Sequence, residues 1–318
     1  MTFLDFEKPI ADLENKIREL KELADNSDEV DFSEELQKLE TKLDRLLHET
    51  YAKLTPWQKT QVARHPDRPH FRDVVAHLFT DFEPLAGDRR FGEDHAIQGG
   101  PARFKGEPVM IIGHEKGCEV ASRIKHNFGM ALPEGYRKAQ RLMDMADRFS
   151  LPVMTFIDTP GAYPGINAEE RGQAEAIAQC TGACLRLKAP LIATIMGEGG
   201  SGGAVALAAA NRVIMLEHSV YSVISPEGCA SILWRTADKA QEAAAALKIT
   251  AQDLEEHQII DRIVPEPVGG AHRDWPALFA TLSEALASAM TELSLLDGAK
   301  LAQLRQEKFL KIGRLDAA

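Results

Sequence analysis

Residues 191–210 read LIATIMGEGGSGGAVALAAA, and this stretch decides the fold. The apolar run 191–196 predicts a buried strand, since short apolar runs that end at glycine are typical of core strands. Five of the seven residues 197–203 are glycine, which indicates a tight turn. The segment after Gly203 consists of small helix formers, so a helix is predicted to begin there. The stretch therefore predicts a strand, a glycine turn and a helix.

The glycine turn at 197–203 has the composition of an anion-binding site. Glycine permits positive φ and lets a ligand approach the backbone closely. A helix that begins near Gly203 would direct free N–H groups and the positive end of its dipole at the turn. The alternatives are a turn that needs glycine only for packing and a loop that binds nucleotide phosphates. The turn has no lysine, and the pattern G-x-x-x-x-G-K-[ST] is absent, which disfavours the phosphate loop.

On both sides of this stretch, apolar strands alternate with helical segments at intervals of roughly 40 residues. Further strands are predicted at 109–113, 153–157, 213–216, 221–224 and 259–264. A helix at 134–149 is predicted to bury Tyr136, Ala139, Leu142, Met143 and Ala146. A second helix, at 168–187, is predicted to bury Ala174, Ile177, Ala178, Thr181 and Leu185. Because parallel strands need crossover helices, the alternation predicts an α/β fold with parallel strands.

A second glycine-containing turn, DTPGAYPG at 158–165, follows the strand predicted at 153–157. Asp158 and Gly161 match the D-x-x-G element of GTP-binding proteins, although no phosphate-binding lysine loop precedes them. Gly161, Pro164 and Gly165 instead indicate a rigid loop at the end of a strand. Since ligands bind at the carboxyl ends of strands in open α/β sheets, both turns are predicted to face one site.

Both termini are predicted to be helical. Residues 1–55 form a predicted hairpin of two antiparallel helices, with a turn at 25–28 and Ser33 as the second helix's N-cap. The hairpin either braces the α/β domain or docks a partner subunit. That domain is predicted to span residues 56–274, and a helical tail residues 275–318. The apolar seams consist of Ile10, Leu13, Ile17, Leu20, Leu36, Leu39, Leu43 and Leu46 in the hairpin, and Leu278, Leu282, Leu286 and Leu293 in the tail.

The net charge of the 318-residue chain is −11, which argues against nucleic acid or an anionic membrane as the main partner. The N-terminus lacks a basic segment followed by a long apolar one, and the apolar runs are too short to cross a bilayer. A cytoplasmic location is therefore expected.

Cysteines and histidines give no metal pattern. The four cysteines include no C-x-x-C pair, and Cys180 and Cys184 are expected to be small buried residues. His65, His70 and His77 lack a neighbouring ligand set and are expected to be solvated or capping residues. No metal is predicted to bind to this chain.

The sequence predicts no nucleophile elbow and no base paired with a serine or cysteine. Glu198 and Glu227 are the carboxylates nearest the glycine turns. Either is a candidate general base, and both are equally candidates to anchor the turns through backbone N–H groups. A site built from backbone amides suits a reaction whose base is supplied by a cofactor.

Long motifs carry a resemblance to a known family. They are residues 127–130 (NFGM), 133–138 (PEGYRK), 158–165, 197–203, 221–230 (YSVISPEGCA) and 263–273. With them, nearly the whole chain resembles the α subunits of bacterial acetyl-CoA carboxylase carboxyltransferase. The divergent parts are residues 21–50 and the C-terminal tail.

The resemblance implies a crotonase-like fold of repeated ββα units. It implies transfer of a carboxyl group from carboxybiotin, held on a separate carrier protein, to acetyl-CoA, giving malonyl-CoA in the committed step of fatty acid biosynthesis. The implied partners are a β subunit with a zinc ribbon in an α2β2 heterotetramer, the biotin carboxyl carrier protein, and biotin carboxylase, which alone uses ATP. Gly202 and Gly203 match the family's glycines that stabilise the oxyanion on the biotin ureido carbonyl.

Substrate-binding residues are predicted around both turns: Gly161, Ala162, Tyr163, Gly199, Gly200, Ser225, Pro226 and Glu227. Arg123, Lys125, Arg137 and Lys138 are candidate contacts for CoA phosphates, or else a solvated basic face or subunit contact. The remaining alternatives are a biotin-dependent carboxyltransferase or decarboxylase for another acyl-CoA, a crotonase-type hydratase or isomerase using Glu198 and Glu227, a GTP-binding protein, and a purely structural subunit.

Overall fold

The computed structural model describes residues 2–25 and 32–313 of the chain. Within them, eight strands form one mixed sheet. The strands are β1 (Phe79–Thr80), β2 (Ile97–Phe104), β3 (Glu107–His114), β4 (Val153–Thr159), β5 (Leu191–Gly200), β6 (Arg212–Leu216), β7 (Val220–Ser222) and β8 (Arg262–Val264). Their spatial order is β1-β2-β3-β4-β5-β6-β8, and β7 pairs with the last residues of β5.

Strands β3, β4, β5, β6 and β8 run parallel, which confirms the predicted α/β arrangement. Strands β1, β2 and β3 are joined in antiparallel pairs. Strand β2 was not predicted, because its sequence IQGGPARF contains two glycines and a proline and so lacks an apolar run.

The helices cover both faces of this sheet. They are α1 (Lys8–Asp25), α2 (Ser33–Tyr51), α3 (Pro56–Ala63), α4 (Phe71–Leu78), α5 (Val120–Lys125), α6 (Pro133–Phe149), α7 (Ile166–Glu170), α8 (Gln173–Arg186), α9 (Ser201–Ala208), α10 (Pro226–Trp234), α11 (Ala240–Leu247), α12 (Ala251–Glu256), α13 (Trp275–Ser294) and α14 (Gly298–Lys311). Apolar residues of α6, α8 and α9 pack on one face, and those of α4 and α13 pack on the other.

The buried face was predicted correctly for α6 and only in part for α8, where Ile177 and Leu185 pack half-buried against the core. All five residues predicted on the α6 face are buried. In α8, however, Ala174 and Ala178 are exposed, whereas Ala176, Cys180 and Cys184 are buried. Small residues lie on every side of α8, so its hydrophobic periodicity does not single out one face. The predicted single helix at 168–187 is also interrupted at Gly172, which has a φ of 80°.

The N-terminal helices α1 and α2 form the expected antiparallel pair. Ile10, early in α1, lies in one apolar cluster with Tyr51 at the end of α2, and Lys21 pairs with Glu40 at 2.7 Å. The second helix is capped by Phe32 rather than by the predicted Ser33, and Phe32 contributes no side-chain hydrogen bond. Residues 26–28 of the predicted turn lie outside the described residues.

Buried charges tie this hairpin to the rest of the chain. Arg273 lies 2.6 Å from Glu14 and 3.4 Å from Glu7, and Glu7 also accepts a hydrogen bond from Tyr51 at 2.8 Å. The hairpin therefore contacts the segment that precedes α13, which fits the prediction that it braces the rest of the chain. The proposed boundaries at 55/56 and 274/275 stay a prediction.

The C-terminal helices are part of the core. Leu278, Leu282, Leu286 and Leu293 of α13 are all buried against the sheet, as predicted. In α14, the fully buried Arg305 donates hydrogen bonds to the carbonyl oxygens of residues 184, 187 and 189, at 2.6 to 3.0 Å. The tail is thus fastened to the end of α8 and the start of β5.

Candidate active site

Strand β5 continues directly into α9 without an intervening loop. The strand was predicted to end at Met196 and the helix to begin near Gly203, but β5 ends at Gly200 and α9 begins at Ser201. Glycine gives no sequence signal for a strand, because it lacks a side chain to pack. The predicted turn is therefore the last four residues of a strand followed by the first three residues of a helix.

Two glycines at this junction are required by close approach to the 158–165 loop. A Cβ on Gly200 would lie 2.2 Å from the carbonyl oxygen of Pro160. A Cβ on Gly203 would lie 2.9 Å from the backbone nitrogen of Ala162. Gly202 differs, because its Cβ would meet only Ile177 at an ordinary 3.4 Å. The two turns that the sequence placed at one site are thus in direct backbone contact.

The first turn of α9 is free to bind an anion. Gly200 is the N-cap and no side chain caps the helix. The N–H groups of the first four helical residues have no partner within a helix, and the helix dipole places partial positive charge there. Gly203 is buried and Gly202 half-buried, so the N–H donors lie at the edge of the core.

The loop opposite this helix end is held by its own polar groups. Thr159 Oγ1 donates to the carbonyl oxygen of Gly161 at 2.8 Å and accepts the N–H of the same residue at 3.1 Å. Gly161 has a φ of 148°, a backbone conformation that residues with a side chain rarely adopt. The carbonyl oxygen of Tyr163 accepts a hydrogen bond from Gln173 Nε2 at 2.8 Å. These contacts fix Gly161, Ala162 and Tyr163 beside α9.

A buried hydroxyl lies behind the contact between the two turns. Tyr136 Oη is 3.1 Å from the position of a Cβ on Gly203, and Tyr136 has no exposed surface. Within the described residues, this hydroxyl has no hydrogen-bond partner. Burial raises its pKa well above the usual range, so it remains a hydrogen-bond donor.

A chain of charged groups links β4, β5 and α10 beside the glycine junction. Asp158 accepts the backbone N–H of Glu198 at 2.9 Å. Lys116 Nζ lies 2.6 Å from Asp158 Oδ1 and 3.1 Å from Glu198 Oε2. Arg64 Nε lies 2.5 Å from Glu198 Oε1, and Arg64 Nη1 lies 2.5 Å from Glu227 Oε1. Both glutamates that the sequence marked as candidate bases are therefore paired with cations.

These pairs keep the two glutamates ionised. Burial favours the neutral form of Glu198, but the charges of Lys116 and Arg64 outweigh burial and lower its pKa. Burial opposes ionisation of Glu227 too, and its hydrogen bond from Arg64 lowers the pKa. An efficient acid–base catalyst needs a pKa near the working pH. The geometry thus disfavours Glu198 and Glu227 as the acid–base pair of a hydratase. Arg64 holds both glutamates, and Glu227 also accepts its own backbone N–H.

Residues 225–227 lie at the start of α10. Ser225 is its N-cap and accepts the N–H of Gly228 at 3.1 Å, while Pro226 is buried. Arg64 links Glu227 to Glu198, which precedes the glycine junction. On the other side, Tyr221 of β7 packs under Gly199, whose Cβ would lie 2.8 Å from the Tyr221 ring. The predicted substrate residues therefore surround the junction, although not all of them contact it.

Three residues of this region were missed by the sequence reasoning. Lys116 follows the end of β3, and its position at the carboxyl end of a parallel strand was a usable signal. Arg64 gave no local signal, since Glu198 lies 134 residues away in the chain. Ser201 was overlooked although residues 199–203 do fit G-x-S-x-G, and it has the φ of 50° typical of a strained strand-to-helix junction. Its hydroxyl forms no hydrogen bond to a histidine or carboxylate in the described chain, so no triad is assembled.

The other candidate residues are distributed as follows. His70 occupies the N-cap of α4, but His65 is buried and stacks on His272 with ring centroids 3.8 Å apart. Cys180 and Cys184 are buried, as predicted. The described residues contain no group of histidine, cysteine and carboxylate side chains that could hold a metal ion. Among them, too, no helix is long and apolar enough to cross a membrane.

The four basic candidates for CoA phosphates do not share one surface. Lys138 is buried and bonded to Glu93 and to a backbone carbonyl, so it is not part of a solvated face. Arg137 is mostly buried beside Asp88. Arg123 lines a 250 Å³ cleft with Lys116, Asp158 and Glu198, and Lys125 is exposed on α5.

Comparison with known proteins decides the family. A family model described as acetyl co-enzyme A carboxylase carboxyltransferase-like matches residues 3–313. The chain belongs to this family. It is 62% identical over 314 residues to the acetyl-coenzyme A carboxylase carboxyl transferase subunit alpha of Paramagnetospirillum magneticum, covering 99% of both chains. It is 64% identical over 312 residues to the subunit of that name from Sphingopyxis alaskensis, covering 98% of this chain and 99% of the relative.

Solved structures support the same fold. A transcarboxylase 12S structure with methylmalonyl-coenzyme A bound matches with a TM-score of 0.59 at 20% identity, over 72% of this chain and 42% of that chain. A Pseudomonas malonate decarboxylase hetero-tetramer in complex with coenzyme A matches with a TM-score of 0.54 at 18% identity, over 70% and 92% of the chains. The predicted crotonase-like carboxyltransferase fold and the family resemblance are confirmed, and the chain is an enzyme subunit of the carboxyltransferase class.

Proposed function

We propose that this chain supplies one half of an acetyl-CoA carboxylase carboxyltransferase site, in which a carboxyl group passes from carboxybiotin on a carrier protein to acetyl-CoA. The product is malonyl-CoA, the committed intermediate of fatty acid biosynthesis. The observation that carries the proposal is the uncapped start of α9, packed directly against the 160–162 backbone. It presents amide donors and no free acid or base, in a chain of the carboxyltransferase family.

The residues present fit a ligand with a developing oxyanion. The space that a Cβ on Gly200 or Gly203 would fill is occupied by the neighbouring loop, so the backbone N–H groups can stand close together. We assign the N–H groups of Gly202 and Gly203 to the ureido oxygen of the biotin group, with Gly161 and Ala162 as the facing wall. When bound, carboxybiotin supplies the carboxyl group and a ureido oxygen on which negative charge develops.

The contribution of this chain is electrostatic. Each well-aimed oxyanion donor is worth about 2.7–4 kcal/mol, or roughly 10²–10³ in rate. The donors need no reorganisation, because β5, α9 and the loop are held by backbone contacts. Lys116 and Arg64 lower the pKa of Glu198, and Arg64 lowers that of Glu227, so these two glutamates position the junction and do not move protons. Lys116 also lies 2.6 Å from Asp158 and fixes its carboxylate.

We propose that a β subunit with a zinc ribbon completes the site, in an α2β2 assembly that works with the biotin carboxyl carrier protein and with ATP-dependent biotin carboxylase. Apolar side chains are exposed next to Glu227, which supports a subunit contact there. Val223 is 78% exposed, Ile232 72% and Leu233 64%. Three strongly exposed apolar side chains within eleven residues of the chain favour an interface at α10.

Reconstitution tests the proposal. The full chain is mixed with its β subunit, and malonyl-CoA formation is measured with a carboxybiotin donor. We expect activity only in the mixture and a higher rate constant with acetyl-CoA than with propionyl- or butyryl-CoA. A preference for the longer acyl-CoAs would identify the other biotin-dependent reaction. Hydration of crotonyl-CoA by this chain alone would contradict the proposal.

A substitution at the junction tests the oxyanion assignment. In Gly203→Val, the side chain would collide with the Gly161–Ala162 backbone, so the donor pocket would deform. We expect loss of malonyl-CoA formation while the α–β complex remains intact by size-exclusion chromatography. Near-normal turnover in this variant would refute the assignment.

A further inference from the structure

A second cavity lies away from the glycine junction, on the outer side of α6. It has a volume of about 530 Å³ and lies between α6 and the loop at 88–90. Five arginines line it, against two aspartates, Asp88 and Asp144. The arginines are Arg89, Arg90, Arg137, Arg141 and Arg148. In a chain with a net charge of −11, this cavity is a local concentration of positive charge.

The loop that carries Arg89 and Arg90 is fixed by the protein itself. Asp88 Oδ1 accepts the backbone N–H groups of residues 90, 91 and 92 at 2.9, 2.8 and 3.0 Å. Arg141 donates to the carbonyl oxygens of residues 85–87 at 3.2 Å. One carboxylate and one guanidinium of the cavity thus serve as its scaffold, and the cavity is preorganised.

Three of the other four guanidinium groups are not compensated. Within the described part of the chain, Arg89, Arg90 and Arg148 form no ion pair with a carboxylate, whereas Arg137 lies 3.7 Å from Asp88. Burial lowers the pKa of Arg141, and the charge of Arg89 lowers it further. Like charges held close together destabilise the free protein, and an anion would relieve that repulsion.

We propose that this cavity binds the diphosphate of a nucleotide, with the phosphates on Arg89, Arg90 and Arg148 and the base against Phe149. Guanidinium groups are suited to phosphate because their planar donors match its oxygens. The volume lies in the usual range for small-molecule sites. Phe149 is 71% exposed and lines the cavity beside Met145, so an aromatic face is available for a base.

Two sources offer this chemistry, the ADP portion of coenzyme A and a free nucleoside diphosphate. Arg137, at one end of the cavity, donates to the backbone carbonyl of Arg171, next to the helix that follows the 158–165 loop. The cavity then extends along α6 to Phe149, about 18 Å away for twelve helical residues. Binding can be measured without turnover, so the inference does not depend on the proposed reaction.

Titration calorimetry on the full chain, alone and with its β subunit, tests the inference. The probes are ADP, coenzyme A and inorganic pyrophosphate. We expect ADP to bind more tightly than pyrophosphate, and the double variant Arg89→Gln/Arg148→Gln to weaken ADP binding by at least about tenfold. Phe149→Ala should weaken ADP and leave pyrophosphate unchanged. Both arginines and Phe149 are exposed, so folding is not at risk.

The matched control is Arg45→Gln, which removes an exposed arginine on α2 and should leave all three affinities unchanged. Tighter binding of coenzyme A than of ADP would identify the cofactor as the source, and the reverse would identify a free nucleotide. The inference is overturned if neither compound binds, or if the double variant binds ADP as tightly as the parent. Loss of affinity in Arg45→Gln of the same size would also overturn it.

Discussion

The substitution Gly200→Ala offers a direct test of the contact between β5 and the 158–165 loop. The added Cβ would lie 2.2 Å from the carbonyl oxygen of Pro160 and 2.8 Å from the nitrogen of Gly161. Ordinary contact begins near 3.4 Å, so the two backbones must separate by about 1.2 Å. Both partners are backbone, and no rotamer change can relieve the collision. The loop, the strand or both must move.

The expected effects follow from that displacement. Overpacking of a buried site costs about 1–3 kcal/mol of unfolding free energy. A displacement of about 1 Å near reacting groups typically costs roughly 100-fold in rate. The neighbouring Gly202→Ala is the control, because its Cβ would meet only Ile177 at 3.4 Å. Alanine also favours the helix by up to about 1 kcal/mol over glycine, so Gly202→Ala should be neutral or stabilising.

Urea unfolding followed by circular dichroism gives the stability of both variants, and malonyl-CoA formation by the reconstituted complex gives the rate. We expect Gly200→Ala to lose stability and nearly all activity, and Gly202→Ala to keep its stability. The reasoning is refuted if Gly200→Ala unfolds within about 0.5 kcal/mol of the parent and retains full activity. Equal destabilisation by the two substitutions would refute it as well.

Three further predictions concern charged and titratable groups. Arg64→Gln should lower the unfolding free energy in urea by about 1–2 kcal/mol, less than the loss of a fully buried pair, because Arg64 is 31% exposed. The substitution should also raise the pKa of Glu198. Unchanged stability would contradict the role of the ion chain. Burial, and then the charges of His65 and nearby arginines, lower the pKa of His272 from 6.5 to about 3, so its neutral form is favoured in the folded state. Stability should therefore fall as the pH drops from 6.5 towards 3, by up to about 1.4 kcal/mol per pH unit for this group; His272→Phe should flatten the slope of unfolding free energy against pH, and an unchanged slope would refute the assignment. Arg305→Met should cost at least about 3 kcal/mol in urea unfolding, since it leaves three buried carbonyl oxygens without their donor, and a loss below 1 kcal/mol would contradict that accounting.

The fold could be predicted from the sequence wherever the residues of a segment had a single structural role, such as burial in the core. The run at 191–196 has no use except burial, and the leucines of α13 recur on one face, so both were placed correctly. Strand β2 has no such run, because its glycines serve close packing: a Cβ on Gly100 would lie 1.9 Å from the carbonyl oxygen of Glu83. Helix α8 has small residues on all sides, so its face is selected by the neighbouring helices and strands, which the local sequence does not contain.

The candidate site divides in the same way. Glycine is conformationally special, so its clustering at 197–203 marked the junction from sequence alone. The boundary between strand and helix could not be read there, because glycine favours neither. Arg64 is an ordinary arginine in its local sequence, and only the fold brings it between Glu198 and Glu227. Ion pairs between residues far apart in the chain therefore could not be predicted from local sequence patterns.

The ion chain bears on the proposal that this chain supplies one half of a site. Asp158, Glu198 and Glu227 are the carboxylates closest to the glycine junction, and Lys116 and Arg64 compensate all three. A carboxylate that is ionised and paired in this way is a weak base, because taking up a proton would break the pair. Carboxyl transfer to an acyl-CoA requires removal of a proton from the acyl group. Under the proposed function, we therefore expect the bound donor group or a second chain to accept that proton, while the amide donors on α9 stabilise the charge on the donor group.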